Sequence, residues 1–273
     1  LLLLLLVLSL FAKKVKLYHL LTHTSGIPDS RKVRDEHDFY LTAKDEENFA
    51  PRRQTRTLEF EPGTRYKYSN PAFNGLALII EKVTGKSLDV FCIDEIFTPL
   101  KMNSTFFNPT DSIKKLCAPT EVDNYWRMKP LQGEVHDETA AMLNGVAGHA
   151  GLFSTASDIS KLMSVLMNKG KLNDEQFIKQ STIELFTKKY SKESTRALGW
   201  DTKSDSGSSA GKYFSKNSFG HTGFTGTSVW ADPERNLFVV FLTNRVYPTR
   251  DNTKILNVRP QLHNAIIKCL EKN

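Results

Sequence analysis

Two short strings carry the groups best suited to chemistry. "YSN", residues 68–70, sets the phenol of Tyr68 and the amide of Asn70 two positions apart, and in an extended segment both point to the same side. "HTG", residues 221–223, sets His221 and Gly223 on one side of a strand, where the glycine removes a side chain and lets a ligand's backbone approach. Taken singly, each string also has an ordinary reading. Tyr68 could pack under a helix start that Asn70 caps, and His221 could be a surface histidine on an edge strand.

The flanking sequence says what holds these groups. "EPGTRYKYSNPAFNGLALIIEKVTGKSL" reads as a turn at 61–63, then a helix over about 71–84. Pro71 stands in its first turn, Phe73, Leu76, Ala77 and Ile80 fall at helical spacing, and Gly85 stops it. Further helices are expected over 87–96, after a cap at Ser154 or Ser157, over 175–190 and over 259–270, with 99–109 a loop. From Leu198 the period changes to two, through "LGWDT", "NSFGHTG", "TSVWADP" and "NLFVVFLTN", with a hairpin turn at 232–236. Helices followed by a run of antiparallel strands make an α+β fold. Before them, an apolar segment at 15–21 is stopped by "THTSGIP", and the charged stretch 29–57 reads as a surface excursion.

Composition narrows the partners. The 273 residues are 40% hydrophobic and 25% charged, ordinary for a globular chain with a sizeable core. The formal net charge is +7, but acids are interspersed among the bases and no basic tract is interleaved with aromatics, which argues against nucleic acid. Cys92, Cys117 and Cys269 lie far apart without metal-ligand spacing, and an odd number leaves at least one thiol free. The opening "LLLLLLVLSLFA" is shorter than the roughly 20 residues of a membrane-spanning helix. It reads equally as the apolar part of an export signal, with membrane attachment or export to the periplasm, cell envelope or exterior, or as a buried element at the edge of a domain. On this reading residues 1–14 are a leader or edge, and 15–273 one domain with a mostly helical lobe (about 15–195) and a strand-rich part (about 196–273).

Four ordered strings, "LLTHTSGIP", "EPGTRYKYSNPAFNGLALIIEKVTG", "GVAGHAGLFSTASDISKLM" and "FGHTGFTGTSVWADPERNLFVVFLTN", closely resemble the serine β-lactamase and penicillin-binding-protein superfamily from about Val15 onward. "VHDETAAMLNGVAGHAGLFST" and "LTNRVYPTRDN" look most like its muropeptide-recycling serine hydrolases, including N-acetylmuramyl-L-alanine amidases. The resemblance implies a β-lactamase/transpeptidase-like α+β fold, an acyl-enzyme route on an amide or ester of cell-wall origin, and no metal or cofactor. Tyr68 would relay the proton, and with an ordinary pKa of about 10 it would need a neighbouring cation to favour phenolate. Asn70 would bond the substrate's amide carbonyl. His221 and Thr222 would bind the substrate's carboxylate or acyl side chain, and past Gly223 the Phe224 N–H would form half of an oxyanion hole. Many β-lactamases have lysine where this chain has His221. Because histidine, with an ordinary pKa of about 6.5, is mostly neutral at pH 7, it favours peptidase, esterase or amidase work.

The departure is the nucleophile. The family's Ser-x-x-Lys lies several dozen residues before "LLTHTSG", and this sequence holds no such motif in that place. Ser9 and Lys13 are spaced one residue too far, while "SIKK" (Ser112, Lys115) and "SAGK" (Ser209, Lys212) have the spacing but break the motif order. The resemblance therefore describes an N-terminally truncated form, lacking the first helix and two strands, whose exposed apolar strand "NLFVVFLTN" predicts poor solubility unless the leucine run covers part of it. Two functions fit: a serine hydrolase represented by part of its site, or a catalytically inactive module that binds peptides or muropeptides. His19 and His23 read as structural, bonded to loop backbone. His136 and Asp137 read as cleft-lining, since with Glu138 and His149 they lack the helical spacing of a metal site. "NST" at 103–105 is a glycosylation sequon relevant only in a eukaryotic secretory pathway.

Overall fold

The computed structural model describes residues 15–29 and 58–272. Helix α1 (Leu17–Leu21) is a single turn ended by a threonine-rich corner, where the Thr22 hydroxyl donates to the Tyr18 carbonyl at 2.7 Å. It packs against α2 (Asn70–Thr84), which begins within a residue of the expected point. The cap is Ser69, not Asn70: the Ser69 hydroxyl accepts the Ala72 N–H at 3.3 Å, and Asn70 is the first helical residue. Gly85, at φ 71°, closes the helix in the left-handed conformation that glycine reaches without steric cost.

Helix α3 (Leu88–Cys92) runs into a π-helical turn (Ile93–Phe97), filling the span expected to be helical. Within the stretch read as loop lies β1 (Phe106–Phe107). After α4 (Asp111–Lys114) come β2 (Pro119–Asp123) and β3 (Lys129–Gln132), an antiparallel ribbon, then α5 (Glu138–Met142). β4 (Leu152–Phe153) pairs with β1. Helix α6 (Ala156–Met167) is capped by Thr155, between the two serines expected, whose hydroxyl accepts the Asp158 N–H at 3.2 Å. The helix expected over 175–190 is partly a ribbon of β5 (Lys171–Leu172) and β6 (Glu175–Gln176), leaving only α7 (Gln180–Thr187).

The period-two region folds as expected into an antiparallel sheet of β7 (Asp201–Thr202), β8 (Phe219–Thr222), β9 (Ser228–Asp232) and β10 (Leu237–Phe241), in the order β10-β9-β8-β7. Alternation sends its side chains to two cores. Phe219, Val229, Ala231 and Phe238 meet Met163 of α6 on one face. Trp230, Leu237 and Val239 meet Phe214 and Ile267 on the other, under the closing helix α8 (Ile255–Leu270). Gly220 sits opposite Trp230, and a Cβ there would come within 2.5 Å of the indole. Only glycine leaves the ring its place. The hairpin between β9 and β10 is locked by buried Asp232, which accepts from the Ser215 N–H at 2.8 Å and from Arg235 at 3.1 Å. The result is the α+β arrangement that the resemblance implies, an antiparallel sheet flanked by helices beside a helical lobe.

Membrane attachment or export through the apolar run is corrected. No helix among the described residues is long and apolar enough to cross a membrane. The longest, α8, has 16 residues and carries Arg259 and Lys268, short of the roughly 20 apolar residues a span needs. The run itself, with Ser9 and Lys13, lies outside the described residues, as does the stretch 30–57.

Candidate active site

Tyr68 rests on a histidine shelf. His23 follows α1 with φ 56°, is 1% exposed, and stacks its ring on Tyr68 at 4.1 Å and on Phe73 at 4.8 Å. Its Nδ1 accepts the Ser69 N–H at 3.1 Å, so the neutral ring carries its proton on Nε2. Burial pushes the imidazole pKa down to about 3, with the charges of Arg196 and His221 acting the same way. The backbone bond expected of His23 is present. The stacking that holds the Tyr68 ring was not legible in sequence, because residues 23 and 68 meet only when α1 packs on α2. His19 is a local element, its Nδ1 accepting the Lys16 N–H at 3.1 Å.

His221, in β8, donates from Nδ1 to the Thr222 carbonyl at 2.9 Å. Its Nε2 is left with a lone pair, which accepts from the Arg196 guanidinium at 2.9 Å. Burial first, and Arg196 second, push the His221 pKa down to about 4, so the ring is neutral at pH 7. The cation at this point is therefore Arg196. It lies 5.5 Å from the Tyr68 ring centroid and 5.9 Å from that of Tyr66, and reaches the Tyr66 hydroxyl at 3.4 Å. Among the described residues no carboxylate pairs with it within 4.0 Å. Arg196 thus joins the start of α2 to the end of β8, two segments about 150 residues apart in sequence. Sequence reasoning missed it. It stands in "STRALGW", which has no catalytic spacing, and only the bridge between residues 196 and 201 turns it toward β8.

Asn70 is buried at the first position of α2, and Thr222 ends β8 opposite Ser228. Gly223 packs against its own turn: a Cβ there would come 2.2 Å from the Thr227 hydroxyl. Phe224 is 59% exposed, with the Arg245 guanidinium 4.4 Å from its ring centroid and the His136 ring stacked at 5.7 Å.

His136 is held there by a buried ionic network. Its Nε2 meets Glu121 at 2.8 Å, and Arg250 bridges Glu121 at 2.5 Å and Glu138 at 2.7 Å. Burial pushes the Glu121 carboxyl up, but the bonds from Arg250 and His136 outweigh it and hold the group below its ordinary value. Asp137 caps α5 through the Ala140 N–H at 2.9 Å and meets His149 at 2.9 Å, whose other nitrogen meets Asn74 of α2 at 2.8 Å. Burial lowers the His136 pKa, so its contact with Glu121 is a hydrogen bond from the neutral ring, while Glu138 is ion-paired with Arg250, Asp137 caps α5 and His149 is a hydrogen-bonded strut. Among the described residues no group of three or more His, Cys, Asp or Glu is arranged to hold a metal.

The two Ser-x-x-Lys strings belong elsewhere. Ser112 bonds Thr110 at 3.0 Å on exposed α4. Ser209 accepts the Trp230 indole N–H at 3.1 Å on the α8 side of the sheet, and Lys212 lies 5.8 Å from the Tyr213 ring centroid.

Tyr68, stacked at a helix start, and the histidine-threonine-glycine segment at the end of β8 are thus joined through Arg196, on an antiparallel sheet between helices. The profile of the family described as Beta-lactamase matches residues 9–262, and the chain belongs to that family. It is similar to an N-acetylmuramyl-L-alanine amidase of Bacillus subtilis (strain 168), 35% identical over 255 residues, covering 85% of this chain and 56% of that protein. A putative D-alanyl-D-alanine carboxypeptidase of Escherichia coli (strain K12) is 32% identical over 261 residues, covering 89% of this chain and 60% of that protein. The chain thus spans well under two thirds of the length of these curated relatives. Among solved structures, the penicillin binding protein from Bacillus halodurans superposes with a TM-score of 0.64 at 18% identity, covering 92% of this chain and 76% of that one. At that identity the likeness concerns the fold.

Proposed function

We propose that this chain carries one wall of a serine hydrolase site that opens an amide or ester through an acyl-enzyme, with cell-wall peptides or muropeptides as substrates and the cell envelope as its place of action. Tyr68 relays the proton between nucleophile and leaving group, Asn70 holds the substrate's amide carbonyl, and His221 and Thr222 line the acyl side chain. Phe224 supplies one oxyanion donor through its N–H. The nucleophile belongs to a Ser-x-x-Lys motif that residues 15–273 do not contain in the family's place, and the strings at Ser112 and Ser209 are incidental. No metal or cofactor takes part in this reading.

One observation carries it: Arg196 sits between Tyr68 and His221, 5.5 Å from the phenol ring and 2.9 Å from the imidazole, supplying the cation that a proton-relaying tyrosine requires. The likeness to the Bacillus subtilis N-acetylmuramyl-L-alanine amidase, 35% identical against 32% for the carboxypeptidase, supports cleavage between an N-acetylmuramyl group and L-alanine as the reading to test first.

Mass spectrometry after treatment with a fluorophosphonate tests the site. This chain is expected to take up no probe, while the same chain extended through the upstream coding region is labelled once, on the serine of its Ser-x-x-Lys. A stoichiometric adduct on Ser9, Ser112 or Ser209 would overturn the assignment. Complete inertness of the extended protein would favour a binding module instead. Release of an L-alanyl peptide from a muramyl peptide, without loss of D-alanine, is the expected specificity.

A further inference from the structure

The tight turn after β8, residues 222–227, has every carbonyl oxygen taken by a donor of the protein. Thr222 accepts from His221 at 2.9 Å, Phe224 from Arg245 Nε at 2.8 Å, Thr225 from the Arg245 N–H at 2.8 Å, and Gly226 from the Thr243 hydroxyl at 2.8 Å. Gly223 accepts from the Gly226 N–H at 3.2 Å and Thr227 from the Gly223 N–H at 2.7 Å, and both share one further donor. Arg259 of α8 extends a single Nη2 to both carbonyls, each at 2.7 Å. With its carbonyls bound inward, the turn leaves the Phe224 N–H without an acceptor among the described residues, on a residue that is largely exposed.

Arg259 is an unusual group to spend on a turn. It is 5% exposed, its Nε has no partner, and among the described residues no carboxylate pairs with it within 4.0 Å. A buried guanidinium without a counter-ion costs stability unless its charge is used. Here the charge is directed at the oxygen of the Gly223–Phe224 peptide, the same amide whose N–H faces outward. A cation bonded to a peptide oxygen draws electron density from nitrogen and makes the N–H a stronger donor, and hydrogen-bond chains polarise one another in this way.

We infer that Arg259 is a positioning residue for the reaction, polarising the Gly223–Phe224 peptide so that the Phe224 N–H is a strengthened donor to developing negative charge. The inference deepens the hydrolase reading and rests on it for the oxyanion's identity. The polarised amide itself stands on the hydrogen bonds alone. Arg245, on the Phe224 carbonyl, clamps the next peptide and fixes the direction of the N–H.

The test is base-catalysed hydrogen exchange of the Phe224 amide, followed by NMR in this chain between pH 6 and 8, with thermal unfolding as a fold control. Polarisation makes the N–H more acidic, so in the native chain it exchanges faster than the intrinsic rate for its sequence. In Arg259→Gln, which keeps a donor and loses the charge, it exchanges at least about threefold more slowly, and Arg259→Lys restores part of the difference. A merely structural strut predicts the opposite sign, since its loss loosens the turn and speeds exchange. Unchanged or faster exchange in Arg259→Gln, or a native rate at or below the intrinsic one, would overturn the proposal, and the native measurement decides even if the variant does not fold. Slowed exchange together with an extended protein that no fluorophosphonate labels would strike down the hydrolase reading and leave the polarised amide standing, so the two failures are distinguishable.

Discussion

At the scale of single residues, the site is a set of neutral rings arranged around one cation. His23 and His221 are held near 3 and 4, well below the value of about 6.5 that each takes in the unfolded chain. Their unfolded forms therefore bind protons first as pH falls, and the stability present above about pH 6.5 is lost down to the folded values. Each histidine is expected to cost about 1.4 kcal/mol per pH unit in that window, read as a falling urea midpoint between pH 7 and pH 5. A flat midpoint would mean that the rings are less enclosed than the structure has them. Replacing Arg196 by methionine removes the second cause of the His221 depression and leaves burial, the first. Its pKa, followed by NMR titration, is expected to rise above about 4 and stay below the ordinary histidine value. Tyr68, Asn70 and the segment from His221 to Phe224 were legible as candidates because motif order survives in one dimension. Arg196, His23 and Arg259 were not, because each acts on residues tens to more than a hundred positions away.

At the scale of elements, the start of α2 and the crowding between β8 and β9 fix the two segments that Arg196 joins. The Ser69 hydroxyl lies between Tyr68 and Asn70 in sequence and caps the helix that carries them. Ser69→Ala is expected to lower stability by about 1 kcal/mol in urea unfolding and to loosen Tyr68 on its shelf. In β8, Gly220→Ala would press a methyl to 2.3 Å from the Val229 carbonyl and 2.5 Å from the Trp230 ring. Overpacking of this kind is expected to cost about 1–3 kcal/mol, and an unchanged midpoint would show that the indole can move aside. Helix α2 was readable from its proline, its spacing and Gly85. The ribbon of β5 and β6 was not, because "LNDEQ" has no strand-forming alternation and the pairing is set by the turn at Asn173 and Asp174, both with positive φ.

At the scale of the whole molecule, the sheet is covered by a core on each face, and among the described residues its β10 edge is unpaired. Among the described residues β10 pairs with β9 on one edge and with no strand on the other, and all its residues are only half-buried. Such an edge is expected to drive concentration-dependent association of this chain, seen by sedimentation velocity, and a lysine in place of half-exposed Leu242 is expected to lessen it without unfolding. A monodisperse monomer at every concentration would refute this. The sequence by itself determined the α+β class, the family, the helix that carries Tyr68 and the strand that carries His221, because periodicity, caps and motif order are local properties of a chain. Only the tertiary structure decided which cation stands between them, that His221 is a neutral acceptor, that Gly223 serves its own turn, and that a buried arginine backs the Phe224 peptide. Those facts depend on distances between segments remote in sequence, which are set by packing two cores on opposite faces of one sheet.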